Sequence, residues 1–402
     1  MIFDEVAGDK PRELPIANCQ SPILFLFVYV AFAHHKRQTD VASLTHQPLS
    51  TSFEDRTKPM YLLDKMTSLY IPSYRHNHCY YYLSLFKSKR KNKVERTSLV
   101  KQKTLAKAVS TKGIGLHTGV EVNLRLVPAP PDTGYVFIRT DLDNFEIPAS
   151  AEFISHCSYA TTLMRKGVSL STVEHLLAAL RGYGIDNLFI EVDNLELPIM
   201  DGSSEDFIDL IEKVGLIGQD EPRKALLIRE KIEVTENNRY MSVEPAENYD
   251  IDCLIDFPHP LIGEQRYSVR LDDSAFGREI AAARTFGFTT EIEALRKVDL
   301  IKGGSLDNAI VLTNDGMLNQ NPLRFANEFV RHKILDIVGD LALIGLPILG
   351  RVTAQRSGHI IHANLMAKLL KNRTAWEIID YPQTSHNPDF EIETSSVLSI
   401  KA

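Results

Sequence analysis

One short segment spaces its residues for metal chemistry. In Phe329-Val-Arg-His-Lys-Ile-Leu-Asp-Ile-Val-Gly-Asp340, His332, Asp336 and Asp340 recur at every fourth position, which on a helix puts them on one face. An imidazole and a carboxylate one turn apart can grip a single divalent ion, the carboxylate supplying a hard oxygen donor. An isolated HxxxD is far more often a solvated polar stripe, so this segment needs partners. Ser171-Thr-Val-Glu-His175 offers one, because Glu174 and His175 are adjacent at the start of an otherwise apolar helical pattern. Ser171-x-x-Glu174 also fits a capping box, and taken alone that structural role is the better reading of Glu174. His175 alone fits a satisfied core histidine. Together with His332 and Asp336, however, His175 completes the three protein ligands and one open position of a catalytic zinc.

Two further segments could serve such a centre. Ser357-Gly-His359 follows an expected strand, Gly350–Gln355, and Gly358 would permit an unusual backbone turn that leaves His359 at a strand end or loop. A histidine there could act as a general acid, with Asp340 holding it protonated; a surface histidine fits the same residues. Ala283-Arg-Thr-Phe-Gly-Phe288 puts the Thr285 hydroxyl between a cation and two aromatics, suited to stabilising an oxyanion and walling a ligand. Core packing explains the aromatics equally well.

The elements that must position these groups are mixed. Val120–Val127 alternates with period two, a strand ending at Pro128. Ser171–Gly182 spaces Val173, Leu176, Leu177 and Leu180 at helical intervals, strand character resumes over Leu188–Val192, and a second helix is expected over Ser204–Val214. A new strand series runs through Ala225–Arg229, Tyr240–Val243 and Tyr249–Asp256, followed by a long helix from about Arg324 to Ile344. With no convincing short-period repeat, this repeated order predicts two related α+β units, residues 104–219 and 224–402, meeting near Gly218–Arg223.

Composition narrows the partners. With 402 residues, 44% hydrophobic, the chain can bury more than one folding unit. A net charge of -7 gives no global reason to bind nucleic acid or an anionic membrane. Cys19, Cys79, Cys157 and Cys253 form no CxxC pair, which speaks against a cysteine zinc cluster or a disulfide framework. The apolar run Pro22–Ala33 is too short to span a bilayer as a helix, and acidic residues precede it where a secretory signal needs positive charge. Residues 1–103, closing on the basic run Lys87–Lys93, read as an N-terminal extension: a targeting peptide, a disordered tail or a misassigned start.

Taken together, these segments resemble the UDP-3-O-acyl-N-acetylglucosamine deacetylase family, zinc enzymes of lipid A biosynthesis. The resemblance rests on Gly113-Ile-Gly-Leu-His-Thr-Gly119, Ser171-Thr-Val-Glu-His175, Gly184-Ile-Asp-Asn187, Pro198-Ile-Met-Asp-Gly-Ser203, Ala283–Phe288, Gly303-Gly-Ser305, Phe329–Lys333 and Ser357-Gly-His359, in the family's order over about residues 104–402. It implies two similar domains, each a β-sheet layered against two helices, with the active site between them. It implies one Zn²⁺ per chain on His175, His332 and Asp336, with Glu174 as general base, against the local capping preference, and His359 as general acid. A β-α-β insert within Arg284–Leu312 would carry the acyl chain past Phe286, Phe288 and Ile301. Lys333 and Gly303 would lie near the nucleotide sugar and His117 at the cleft rim. One departure is His362, where the family pattern has Asn. The resemblance further implies a monomer that meets the membrane only through the substrate's acyl chain, cytoplasmic in a bacterium, or in a mitochondrion or plastid if a eukaryote supplies a transit peptide. Rival readings are a zinc amidase acting on another acylated amine and a non-catalytic binder of acyl or nucleotide sugars; the absence of HExxH argues against a metalloprotease.

Overall fold

A computed structural model of the chain describes residues 99–382 except residue 273. The apolar run 22–33, the basic run 87–93 and all but the last few residues of the expected extension lie outside the described residues. Residues 101–103, assigned to that extension, are already strand. Lys101–Leu105 pairs antiparallel with Leu216–Pro222, so the expected boundary near Gly218–Arg223 is itself mostly a paired strand.

The first half builds a five-stranded sheet in the order Val109–Ile114, Glu121–Pro128, Leu188–Val192, Tyr135–Arg139, Phe145–Pro148. The Glu121–Pro128 strand alternates exposed and buried residues as its period-two pattern requires, with Val122, Leu124 and Leu126 inward. Two helices accompany this sheet, α1 (Glu174–Gly182) and α2 (Glu205–Val214). The second half builds a seven-stranded sheet around Ile348–Gln355, which pairs with Arg239–Glu244, Lys224–Ile228 and Tyr249–Phe257. Short helices α3 (Ala275–Glu279) and α4 (Thr289–Lys297) precede the two long ones, α5 (Glu328–Leu341) and α6 (His359–Lys371). The architecture is α+β, and both halves share one continuous apolar core.

Two helices carry the candidate metal ligands, and they pack directly on one another. Every residue of α1 from Glu174 to Arg181 is buried, the signature of a helix enclosed on all sides instead of lying on a surface. The contact is close because α5 carries Gly339: a Cβ there would lie 2.0 Å from the Glu174 carbonyl oxygen, so only glycine lets the two backbones meet. That crossing sets Glu174 and His175 beside the polar face of α5. On its far side α5 lies against strands Tyr249–Phe257 and Gly263–Leu271.

Phe286–Phe288 pairs in parallel with Ile310–Leu312, and α4 makes the crossover between them. Among the described residues no helix is long and apolar enough to cross a membrane.

Candidate active site

His332, Asp336 and Asp340 do share one face of α5, and all three are buried. His175, the second residue of α1, joins them across the helix contact. Its Nε2 lies 3.8 Å from Asp336 Oδ1, and His332 Nε2 lies 3.4 Å from that same oxygen. One ligand atom from each residue falls within 4.8 Å of the others.

The protonation states suit metal binding. His332 Nδ1 lies 3.0 Å from the Ala283 carbonyl; a carbonyl only accepts, so Nδ1 carries the proton and Nε2 keeps a free lone pair towards Asp336. Burial, reinforced by the neighbouring His332, pushes the His175 pKa down to about 3, and burial lowers that of His332 as well. Both rings are therefore neutral ligands at physiological pH. Burial opposes ionisation of Asp336, but Lys333 and the surrounding histidines outweigh it and hold the carboxyl well below the usual range. Lys333 Nζ donates to Asp336 Oδ2 at 2.9 Å, leaving Oδ1 facing the two imidazoles. Two neutral nitrogens and one anionic oxygen converge as a set able to hold a divalent ion.

A second group sits one turn along α5. Asp340 Oδ2 accepts from His359 Nδ1 at 2.7 Å and His362 Nδ1 at 2.6 Å, while Oδ1 accepts from the Thr161 hydroxyl at 2.6 Å. Burial works against a charged His359, yet Asp340 overrides it and raises the pKa to about 10. His359 Nε2 points towards Glu174 Oε1, 3.8 Å away. The other Glu174 oxygen accepts the Thr161 backbone N–H at 3.1 Å. Burial, with Asp340 and Asp336 adding repulsion, lifts Glu174 to about 7 against the pull of His359. A carboxylate and an imidazolium thus face each other beside the ligand set.

Two local expectations need correcting. Glu174 caps nothing: α1 begins at Glu174 itself, no side chain closes its first turn, and the carboxylate turns to Thr161 and His359. His359 is neither loop nor strand end but the first residue of α6. Gly358 before it is extended at φ -165°, and the left-handed residue of that turn is Arg356 at φ 51°.

The comparisons with known proteins follow the same residues. The family model LpxC, described as UDP-3-O-acyl N-acetylglycosamine deacetylase, matches residues 102–371. A protein of Myxococcus xanthus named UDP-3-O-acyl-N-acetylglucosamine deacetylase is 47% identical over 285 residues, 71% of this chain and 91% of its own. Proteins of that name from Coxiella burnetii and Solibacter usitatus are each 44% identical, over 72% and 70% of this chain and 97% and 95% of theirs. The chain belongs to this deacetylase family.

In this deacetylase-family chain the two groups open into one cavity of about 660 Å³. Glu174, His175, His332, Asp336 and His359 line it, as do Thr285, Phe286 and Lys333. Lys333 Nζ also lies 5.4 Å from the centre of the Phe286 ring. Phe288, Gly303, Ile301 and His117 lie outside that lining. Phe288 packs on Phe257 and His259. Gly303 seats the insert loop against the first half, where a Cβ would lie 2.2 Å from the Gly115 carbonyl oxygen. The backbone N–H of His117 donates to Glu196 while both ring nitrogens are buried without a partner.

Other lining residues escaped the sequence reading. Arg239 and Arg356 also line the cavity, Arg356 paired with Asp256 of the same lining, and Ile255, Phe257 and Leu295 bring apolar surface; no sequence motif marks them as site residues. Thr161, which holds both Glu174 and Asp340, follows the unremarkable Ser158-Tyr-Ala160.

Proposed function

We propose that the chain hydrolyses the N-acetyl amide of UDP-3-O-acyl-N-acetylglucosamine, giving acetate and the free amine, a step of lipid A biosynthesis. The observation that carries this reading is the meeting of a two-imidazole, one-carboxylate set with a carboxylate and imidazolium pair in one cavity. Binding alone needs no such pair. Family membership supports the substrate.

His175, His332 and Asp336 would hold the metal, and the donor set fits zinc: ligands about 2.0–2.2 Å from a tetrahedral ion stand about 3.3–3.6 Å apart, close to the spacings of Nε2 and Oδ1 across the triad. Zinc would supply Lewis acidity and lower the pKa of a bound water to about 7. Glu174 acts as base through Oε1, because Oε2 is engaged by Thr161. The water oxygen bonds to the acetyl carbonyl carbon as Glu174 takes a proton, and the Thr285 hydroxyl donates to the developing oxyanion. The carbon–nitrogen bond then breaks with its electron pair on nitrogen, which receives the His359 Nε2 proton. Asp340 keeps that ring charged and aimed. Phe286 and the apolar lining suit the acyl chain, and Arg239 and Arg356 suit the phosphates.

The test is zinc stoichiometry together with product mass and acetate release on the UDP-linked substrate. One zinc per chain and loss of a single acetyl group are expected; saturable binding without acetate release would overturn the reading. In a bacterial host the reading implies a cytoplasmic enzyme.

A further inference from the structure

One buried ion pair lies outside the chemistry just described. Glu328 opens α5 about one turn before His332 and is wholly buried against Arg284, itself 7% exposed. Four N–H donors fill the carboxylate. Oε1 accepts the Arg284 backbone N–H at 3.0 Å and its Nε at 2.8 Å; Oε2 accepts Arg284 Nη2 at 3.2 Å and the Arg324 backbone N–H at 2.6 Å. Arg284 stands between two residues of the site. Ala283 offers the carbonyl that fixes the His332 tautomer, and Thr285 donates its backbone N–H to Gly202 at 2.8 Å. The sequence Pro198–Ser203, conspicuous but unused by the mechanism, enters here. A Cβ on Gly202 would lie 2.0 Å from the Asn308 carbonyl oxygen, and Arg324 Nη1 reaches Asp201 at 2.7 Å.

We infer that Glu328 and Arg284 are positioning residues for the metal: their pairing fixes the Ala283 carbonyl against α5 and so holds His332 with Nε2 turned to the ion. A buried ion pair contributes little net stability over apolar packing, whereas partners that orient a ligating imidazole commonly control metal affinity. Glu328, His332, Asp336 and Asp340 form one buried stripe along α5, in which the first residue aims the second.

The inference rests on His332 being a ligand. Zinc affinity is measured by chelator competition on purified full-length protein, with apoprotein melting recorded in parallel. Glu328→Gln, which leaves two of the four donors without an acceptor, is expected to weaken zinc binding by about ten- to a hundredfold. Arg284→Lys keeps the backbone N–H bond and is expected to lose less, about tenfold. Asp186→Asn breaks a different buried pair, Arg223 with Asp186 at 2.9 Å; it should lower the melting temperature and leave zinc affinity within about twofold. Should Glu328→Gln fail to fold, Arg284→Lys decides. Folded variants that bind zinc as the parent does, or an Asp186→Asn that loses zinc equally, overturn the inference. Zinc retained by His332→Ala would instead overturn the ligand assignment.

Discussion

Asp336 and Asp340 are neighbours on one face of α5, and each meets two imidazoles, yet they build different devices. Around Asp336 the imidazole nitrogens stand 3.4 and 3.8 Å from the carboxylate oxygen, too far for hydrogen bonds and spaced for an ion between them. Around Asp340 they stand at 2.7 and 2.6 Å, direct hydrogen bonds with no such gap. Charge follows spacing. His175 is buried and kept neutral, its pKa down to about 3, whereas His359 is buried but charged, its pKa up to about 10. On the proposed reading, the same pair of residue types would make a metal site when the rings stand off and a proton site when they close. Glu174 lies between the two.

The contrast predicts a ranking of losses. His332→Ala removes a metal ligand and should cost both bound zinc and nearly all turnover, at least about a thousandfold, read by metal analysis beside acetate release. Full zinc occupancy in that variant would break the comparison at its first half. Glu174→Gln should keep zinc while kcat falls by about 10²–10⁴; undiminished turnover would remove Glu174 as the base.

The pH profile should show both devices. In the proposed reaction Glu174 works as carboxylate, and burial lifts its pKa to about 7, so the rate should rise with pH through that region. A bound cation favours the carboxylate, which puts the ascending limb of the zinc-loaded enzyme at or below about 7. In that reaction His359 works as imidazolium, held charged up to about 10 by Asp340; a bound cation disfavours its charge, so the rate falls as pH passes about 10 or below. Asp340→Asn deletes the charge that raises His359. The descending limb should move to lower pH by about one to three units with zinc content intact. A stationary limb would show that something other than His359 sets it.

The stripe on α5 was legible because its spacing is local: three residues at every fourth position declare a shared helical face whatever surrounds them. Glu328 belongs to the same stripe yet reads from sequence as an ordinary acidic residue in a helix's first turn, since its partner Arg284 lies far away in the chain. Gly339 likewise reads as a mere helix weakness until α1 is seen crossing there. Glu174 misled for the converse reason. The capping pattern is local and satisfied on paper, but the helix starts two residues later than a cap at Ser171 requires. The boundary expected near Gly218–Arg223 falls largely on the strand Leu216–Pro222, whose partner Lys101–Leu105 lies more than a hundred residues earlier. Helix α6 did carry a signal, with Ile361, Leu365, Met366 and Leu369 at helical spacing and buried, but Gly358 just before it reads as a turn residue.

The smallest predicted effect separates what Asp340 needs from what it merely has. His362 is wholly buried and donates to the same Asp340 oxygen as His359, with its Nε2 3.1 Å from Ser357 Oγ. It occupies the position where the family pattern has Asn. Asn carries an amide donor on a shorter side chain, so His362→Asn can still meet Asp340, although it leaves a small void where the ring stood. Asp340 would also keep Thr161 and His359. Zinc content should stay at parent level, kcat should change by no more than about threefold, and the descending limb should shift little, since the charge that holds His359 is retained. His362→Phe removes the donor and should move that limb more than His362→Asn. If the Asn variant instead lost turnover as severely as Asp340→Asn, the second imidazole would be part of the proton device rather than a substitutable support.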